Sequence, residues 1–134
     1  MKKELELKLQ ERFPIPFKYM YCHPSKSCMA FGLEISDYWF QPVWDALEKI
    51  EKIVPEDEWF ILDQVKSKYA SLRVYYHVNN CGDRKFYDKI DKVITMAEKE
   101  CAKICEQCGK PGKLVGTSWV WIKCEECEKC QTNM

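Results

Sequence analysis

The apolar positions of this chain change period several times, and each change marks an element. Residues 2–12 are charged apart from Leu5, Leu7, Leu9 and Gln10. Their alternation would suit a strand, but Leu5 and Leu9 also share a helical face. The richness in Glu, Lys, Leu and Gln favours a helix, which Pro14 and Pro16 end. Residues 17–38 show turn residues and no clear period, so a loop with one short strand is expected. Ser36 or Asp37 then offers a helix N-cap, with Pro42 in the first turn. Phe40, Val43, Trp44, Leu47, Ile50 and Ile53 recur at helical spacing, which predicts an amphipathic helix over 39–53 stopped by Pro55.

The period then falls to two. Trp59, Ile61 and Val65 alternate with Phe60, Gln64 and Lys66; after a break at Ala70-Ser71, Leu72, Val74, Tyr76 and Val78 alternate with Arg73, Tyr75 and His77. This predicts a β-hairpin with one apolar face. A turn is expected at 79–82, and Asp83 is positioned to cap a long helix. Phe86, Ile90, Val93, Ile94, Ala97, Cys101 and Ile104 form its stripe, and it leads directly into Cys105. The fold class is therefore α+β: a small antiparallel hairpin or sheet on two helices over 1–104, followed by a compact element over 105–134.

Composition narrows the function classes. Hydrophobic residues make up 46% of the chain, enough for a folded core. Its 21 basic and 21 acidic residues cancel, so nucleic-acid or anionic-membrane binding needs a local patch. A transmembrane run is missing from the sequence, and the charged N-terminus lacks the apolar region of a secretory leader. A reducing, cytoplasm-like compartment is expected, where cysteines more often bind metal or stay reduced than pair as disulfides.

Four of the nine cysteines have metal-ligand spacing. Cys105-x2-Cys108 and Cys124-x2-Cys127 each put two sulfurs on one tight turn, and fifteen residues separate the pairs. Lys110-Pro111-Gly112 and Gly116-Thr117 supply turns in the connector, and 119–122 reads as a strand. The pattern predicts a zinc ribbon with four thiolates around one ion. With every position filled, its role is structural rather than catalytic. Iron would use the same ligands. Cys130 rivals Cys127 as the fourth ligand; Cys127 is preferred because its pair repeats the first spacing. Cys101-x3-Cys105-x2-Cys108 has the spacing of a radical-SAM cluster, but Cys101 lies on the helix stripe and the chain is too short for a barrel. Cys22, His23, Cys28, His77 and Cys81 match no ligand spacing, and reduced core cysteines are a better reading of Cys22, Cys28 and Cys81 than a second ion site.

The hairpin offers the second candidate. Gln64, Lys66 and Lys68 share one side of the first strand, and Arg73, Tyr75 and His77 share one side of the second. Together they can form a face for phosphate, a nucleotide or single-stranded nucleic acid, with cations for phosphate and Tyr75 for stacking. An ordinary solvated sheet face has similar residues. Trp39, Trp44 and Trp59 lie in apolar segments and are expected in the core; Trp119 and Trp121 share a side of the last strand, one packing and one exposed. The tail 101–134 has five lysines and four glutamates, so the ribbon is not a basic nucleic-acid grip. Two histidines outside any recognisable motif, and the lack of a Gly-rich phosphate loop, argue against an enzyme.

Asp37-x-Trp39-Phe40, the string Gln64-Val65-Lys66-x-Lys68-Tyr69-x-x-Leu72-Arg73-x-Tyr75-Tyr76, the Cys105-x-x-Cys108-Gly109-x-Pro111-Gly112 turn and the closing tryptophans with C-x2-C resemble a family of small phage and prophage proteins. The likeness covers about residues 32–128. That family tends to have Gly-Gly at the hairpin tip; Ala70-Ser71 here predicts a wider tip than a tight primed turn. The resemblance implies a non-enzymatic accessory protein in the cytoplasm of a bacterial host. Such a protein would contact a host protein or sequester a small anionic ligand, as a counter to antiviral defence. A single-stranded nucleic-acid-binding module is the alternative.

Overall fold

Helix, hairpin and helix form where the periodicity predicts them, and the core lies between. The structure is a computed structural model that describes residues 1–79 and 84–132, with the backbone path alone for 130–132. Beyond Asn79, the turn expected at 79–82 lies outside the described residues, as do the Asp83 cap and the Cys81 and Cys130 thiols. Helix α1 spans Lys3–Arg12, α2 Phe40–Ile53 and α3 Arg84–Cys101. Strands β1 (Phe60–Lys68) and β2 (Ser71–Val78) make the antiparallel hairpin. A second antiparallel pair, β3 (Lys113–Gly116) and β4 (Val120–Lys123), is followed by α4 (Glu125–Thr132). The segment 17–38 is irregular, with short 3-10 turns at Cys28–Phe31 and, just beyond Ser36, at Asp37–Trp39. Its expected strand reduces to one parallel bridge in which Glu34 lies beside Lys66. That bridge covers the free edge of β1, where unpaired amides would otherwise template association.

The inner face of the hairpin packs Leu62, Val65 and Leu72 against Val43, Leu47 and Ile50 of α2 and Ile94 and Ala97 of α3. Phe13 closes one end, edge-on to Trp44 at 5.3 Å. A bulge changes which strand residues face inward. The pairing of β1 with β2 shifts between Leu62 and Gln64, leaving Asp63 extra. One inserted residue reverses the face of everything before it, because side chains alternate with period two. Phe60 and Leu62 therefore point to the core, and Ile61 and Trp59 do not share Val65's face as their spacing suggests. Trp59 is not a core residue: it is exposed and stands edge-on to His77.

The hairpin tip also differs from expectation. Lys68 pairs with Ser71, so the tip is Tyr69-Ala70 and is only two residues long. Both have left-handed backbone, φ 53° and 60°, the geometry of a tight primed turn. Continuous register from Val65↔Val74 outward leaves no slack for a wider loop, and non-glycine residues accept the left-handed conformation instead.

The irregular segment is held by a buried carboxylate. Glu6 of α1 is 5% exposed and accepts hydrogen bonds from Leu33 N–H and from the Tyr21 hydroxyl (2.6 Å). Gly32 lies against it with φ +71°, where a Cβ would overlap the carboxylate. Glu6→Ala leaves the Leu33 N–H without its acceptor in a buried setting. We expect a loss of about 2–4 kcal/mol in urea unfolding; a change below about 0.5 kcal/mol would mean that the segment is held by packing alone.

Candidate metal centre

The first pair of ligands sits on a turn that the main domain grips. Cys105 N–H donates to Lys110 O (2.8 Å) and Gly109 N–H to Cys105 O (3.0 Å), closing the turn around the two sulfurs. Gly109 has φ +80°, and a Cβ there would stand 2.6 Å from the Tyr38 ring, so both backbone and space require glycine. The neighbours of the turn are held from the opening of α2. Trp39 Nε1 donates to Ile104 O (3.3 Å) and Ser36 Oγ to Glu106 O (2.6 Å). Glu106 continues the clamp on the other side: its N–H donates to Ile122 O (2.8 Å), and its carboxylate accepts from Ile122 N–H (2.7 Å). Burial pushes the Glu106 carboxyl above its ordinary range.

The second pair is carried by a helix start. Cys124 immediately precedes α4, and its sulfur accepts from Cys127 N–H (3.4 Å). A thiolate here serves as an N-cap and meets the positive end of the helix dipole. The order of elements is thus turn, hairpin, helix. Ile122 belongs to the main core at 2% exposure, with Ile104 and Val120 packed beside it. The C-terminal element is therefore docked on the domain rather than tethered to it.

The four sulfurs of Cys105, Cys108, Cys124 and Cys127 lie within 4.8 Å of one another, and those of Cys108 and Cys124 are 3.5 Å apart. A tetrahedron with metal–sulfur bonds of about 2.3 Å has sulfur–sulfur edges of about 3.8 Å, so the donor set fits a single ion. Cys105, Cys124 and Cys127 are buried, and Cys108 is half-buried. Without metal the thiols do not ionise alike. Burial pushes Cys105 up, but backbone hydrogen bonds with Cys124, Gln107 and Cys108 outweigh it and hold the thiol at about 6. The hydrogen bond with Cys124 and then burial raise Cys127. One sulfur is thereby ready as a thiolate near neutrality, and an arriving cation would displace the protons of the others. Cys101, which the sequence places on the α3 stripe, is buried there with its thiol pushed up to about 12 by burial; it is a packing residue.

The remaining cysteines do not follow the expectation of a core role. Cys28 is exposed and Cys22 only half-buried, because the segment that carries them runs over the surface. Among the described residues, the four-cysteine group is the one close enough to hold a metal.

The hairpin residues come together in part. Lys66 stands directly opposite Arg73, and Gln64 opposite Tyr75, on the face away from the core. Lys68 follows at the strand end with its Nζ 5.7 Å over the Tyr69 ring. His77 lies on the same face but is engaged by Asp63 (2.7 Å) and Trp59. Trp119 is 72% exposed, whereas Trp121 is partly covered and has Lys123 Nζ 5.2 Å over its ring. Sequence reading missed Ser36, Tyr38 and Trp39 as the grip on the metal turn. The Asp37-x-Trp39-Phe40 string was visible, but the contact of its Trp39 is 65 residues away and that of the preceding Ser36 is 70. No protein-family model, curated protein or solved structure matches this chain. No described helix is long and apolar enough to cross a membrane.

Proposed function

We propose that this is a non-enzymatic binding protein in which structural zinc holds the C-terminal element and the outer hairpin face takes a small anionic, nucleotide-like ligand. The observation that carries the reading is Lys66 directly opposite Arg73. Among the described residues neither has a carboxylate within ion-pair distance. Like charges facing one another across a strand pair repel and weaken the sheet. A bound anion converts that repulsion into affinity, and Arg73 can grip phosphate with a planar fork. Four cysteine ligands close the coordination sphere and leave no position for a reacting water, which supports a structural metal. The resemblance to phage and prophage proteins supports a setting inside a bacterium, where sequestering such a ligand would blunt host defence.

Calorimetric titration with ATP and with tripolyphosphate tests the reading. Both are expected to bind more weakly at higher salt. Lys66→Glu with Arg73→Glu is expected to weaken both at least tenfold while zinc content stays unchanged. A parent protein that binds neither anion, but retains a host protein from lysate, would replace the ligand with a protein partner. Visible iron–thiolate absorbance in the purified protein, with no zinc by elemental analysis, would overturn the metal assignment.

A further inference from the structure

We infer that the groove between the β1–β2 hairpin tip and the C-terminal element seats a nucleobase, with its phosphates directed to Lys68, Lys66 and Arg73. This rests on the anion reading above and names the part of the ligand that the hairpin face leaves unread.

The groove has a volume of about 740 Å³ and is lined by Tyr69 and Lys68 on one side, Trp119 and Trp121 on the other, and Ser36 and Glu106 among the groups between. That volume is in the range of small-molecule sites. Tyr69 is 74% exposed and Trp119 72%. Neither side chain contributes much burial to the fold, yet both border one cavity.

Tyr69 is costly where it stands. Its φ is 53° and that of Ala70 is 60°, a conformation glycine adopts freely and other residues do not. A tip selected only for turning would carry glycine or asparagine. A tyrosine that is three-quarters exposed on strained backbone points to a use for its ring.

The aromatic faces choose the guest. The charged groups that line the groove are mixed, Lys68 against Glu34 and Glu106, with Lys68 Nζ 5.7 Å over the Tyr69 ring. The groove therefore carries no uniform charge, and its exposed rings are what it offers a ligand. A flat neutral ring can stack on the same aromatics, as bases do on exposed tyrosine and tryptophan. Lys68 is shared by the groove and the outer face. It is two strand positions from Lys66, about 7 Å along the strand, which suits phosphates attached to a seated base. The recognised unit is therefore a nucleobase bearing phosphate, free or within a strand.

The test compares ATP, tripolyphosphate and a short oligodeoxyadenylate on the zinc-loaded full chain. ATP is expected to bind at least tenfold more tightly than tripolyphosphate. Tyr69→Ala and Trp119→Ala should each weaken ATP roughly tenfold and leave tripolyphosphate unchanged. Trp119→Phe should retain affinity and lose most of the quenching of tryptophan fluorescence. Tyr69→Gly separates binding from folding: it should lose ATP affinity while its melting temperature does not fall. Tighter binding of the oligonucleotide than of ATP would identify a base in a strand, and the reverse a free nucleotide; both support the groove. Equal binding of ATP and tripolyphosphate, or aromatic variants that bind ATP like the parent, would overturn the groove and leave the anion reading standing. A parent that binds none of the three would overturn both.

Discussion

Cys105→Ser is expected to abolish the proposed zinc binding and to melt the C-terminal element, with the main domain weakened as a consequence. Cys105 is fully buried and its sulfur is one of the four that converge. An element of some 30 residues has little core of its own, and zinc supplies on the order of 10 kcal/mol to such units. The effect does not stop at the ribbon, because Ile122 and Ile104 leave the main core when the ribbon opens. Hydrogen exchange should show lost protection across 104–123 and a smaller loss in the hairpin and α2. Chelation of the parent should give the same pattern. Cys101→Ser is the control: a buried residue off the ligand set, it should keep zinc and lose only packing energy. Cys127→Ser should lose zinc and Cys130→Ser keep it; a Cys127→Ser protein that binds zinc as tightly as the parent would move the fourth ligand. Acid acts in the same direction. Cys105 in the folded, metal-free chain titrates at about 6, below its ordinary value of 9.0. Its contribution is complete above that ordinary value and is lost as pH falls through about 6, so zinc should leave more readily at pH 5 than at pH 8.

Trp39→Ala should cost about 3–5 kcal/mol in urea unfolding, the range for removing a large buried aromatic side chain. Trp39 is 0% exposed and belongs to the core while its indole N–H reaches Ile104 O. The substitution opens a cavity and also releases the chain just before the metal turn. Faster loss of zinc to a competing chelator should therefore accompany the fall in stability. Trp39→Phe separates the two effects. It fills most of the volume but leaves Ile104 O without its donor, so a smaller cost of about 1–2 kcal/mol is expected. If zinc release from Trp39→Phe matches the parent while Trp39→Ala is fast, the grip acts through packing and not through the hydrogen bond.

What could be read from the chain alone was whatever a local pattern specifies. The α2 and α3 stripes, with prolines and caps at their borders, predict helices close to Phe40–Ile53 and Arg84–Cys101, because helical burial repeats within a few residues. The four ligands were legible because each C-x2-C pair is built locally, the first by a turn and the second by the start of α4, and tetrahedral thiolate chemistry joins the pairs. The outer face of Lys66, Arg73 and Tyr75 was legible by alternation beyond the bulge.

Only the tertiary structure decided the rest. The extra residue at Asp63 moved Trp59 and Ile61 off the predicted face, and strand alternation cannot announce an insertion until the partner strand sets the register. The tight tip at Tyr69-Ala70 was imposed in the same way, against the backbone preference of both residues. Cys28 became a surface residue because irregular backbone leaves it outside the core. The grip of Ser36 and Trp39 on the metal turn, and the groove shared by Tyr69 and Trp119, join segments far apart in sequence. Such contacts depend on how elements pack, and periodicity within an element carries no information about which distant element it will meet.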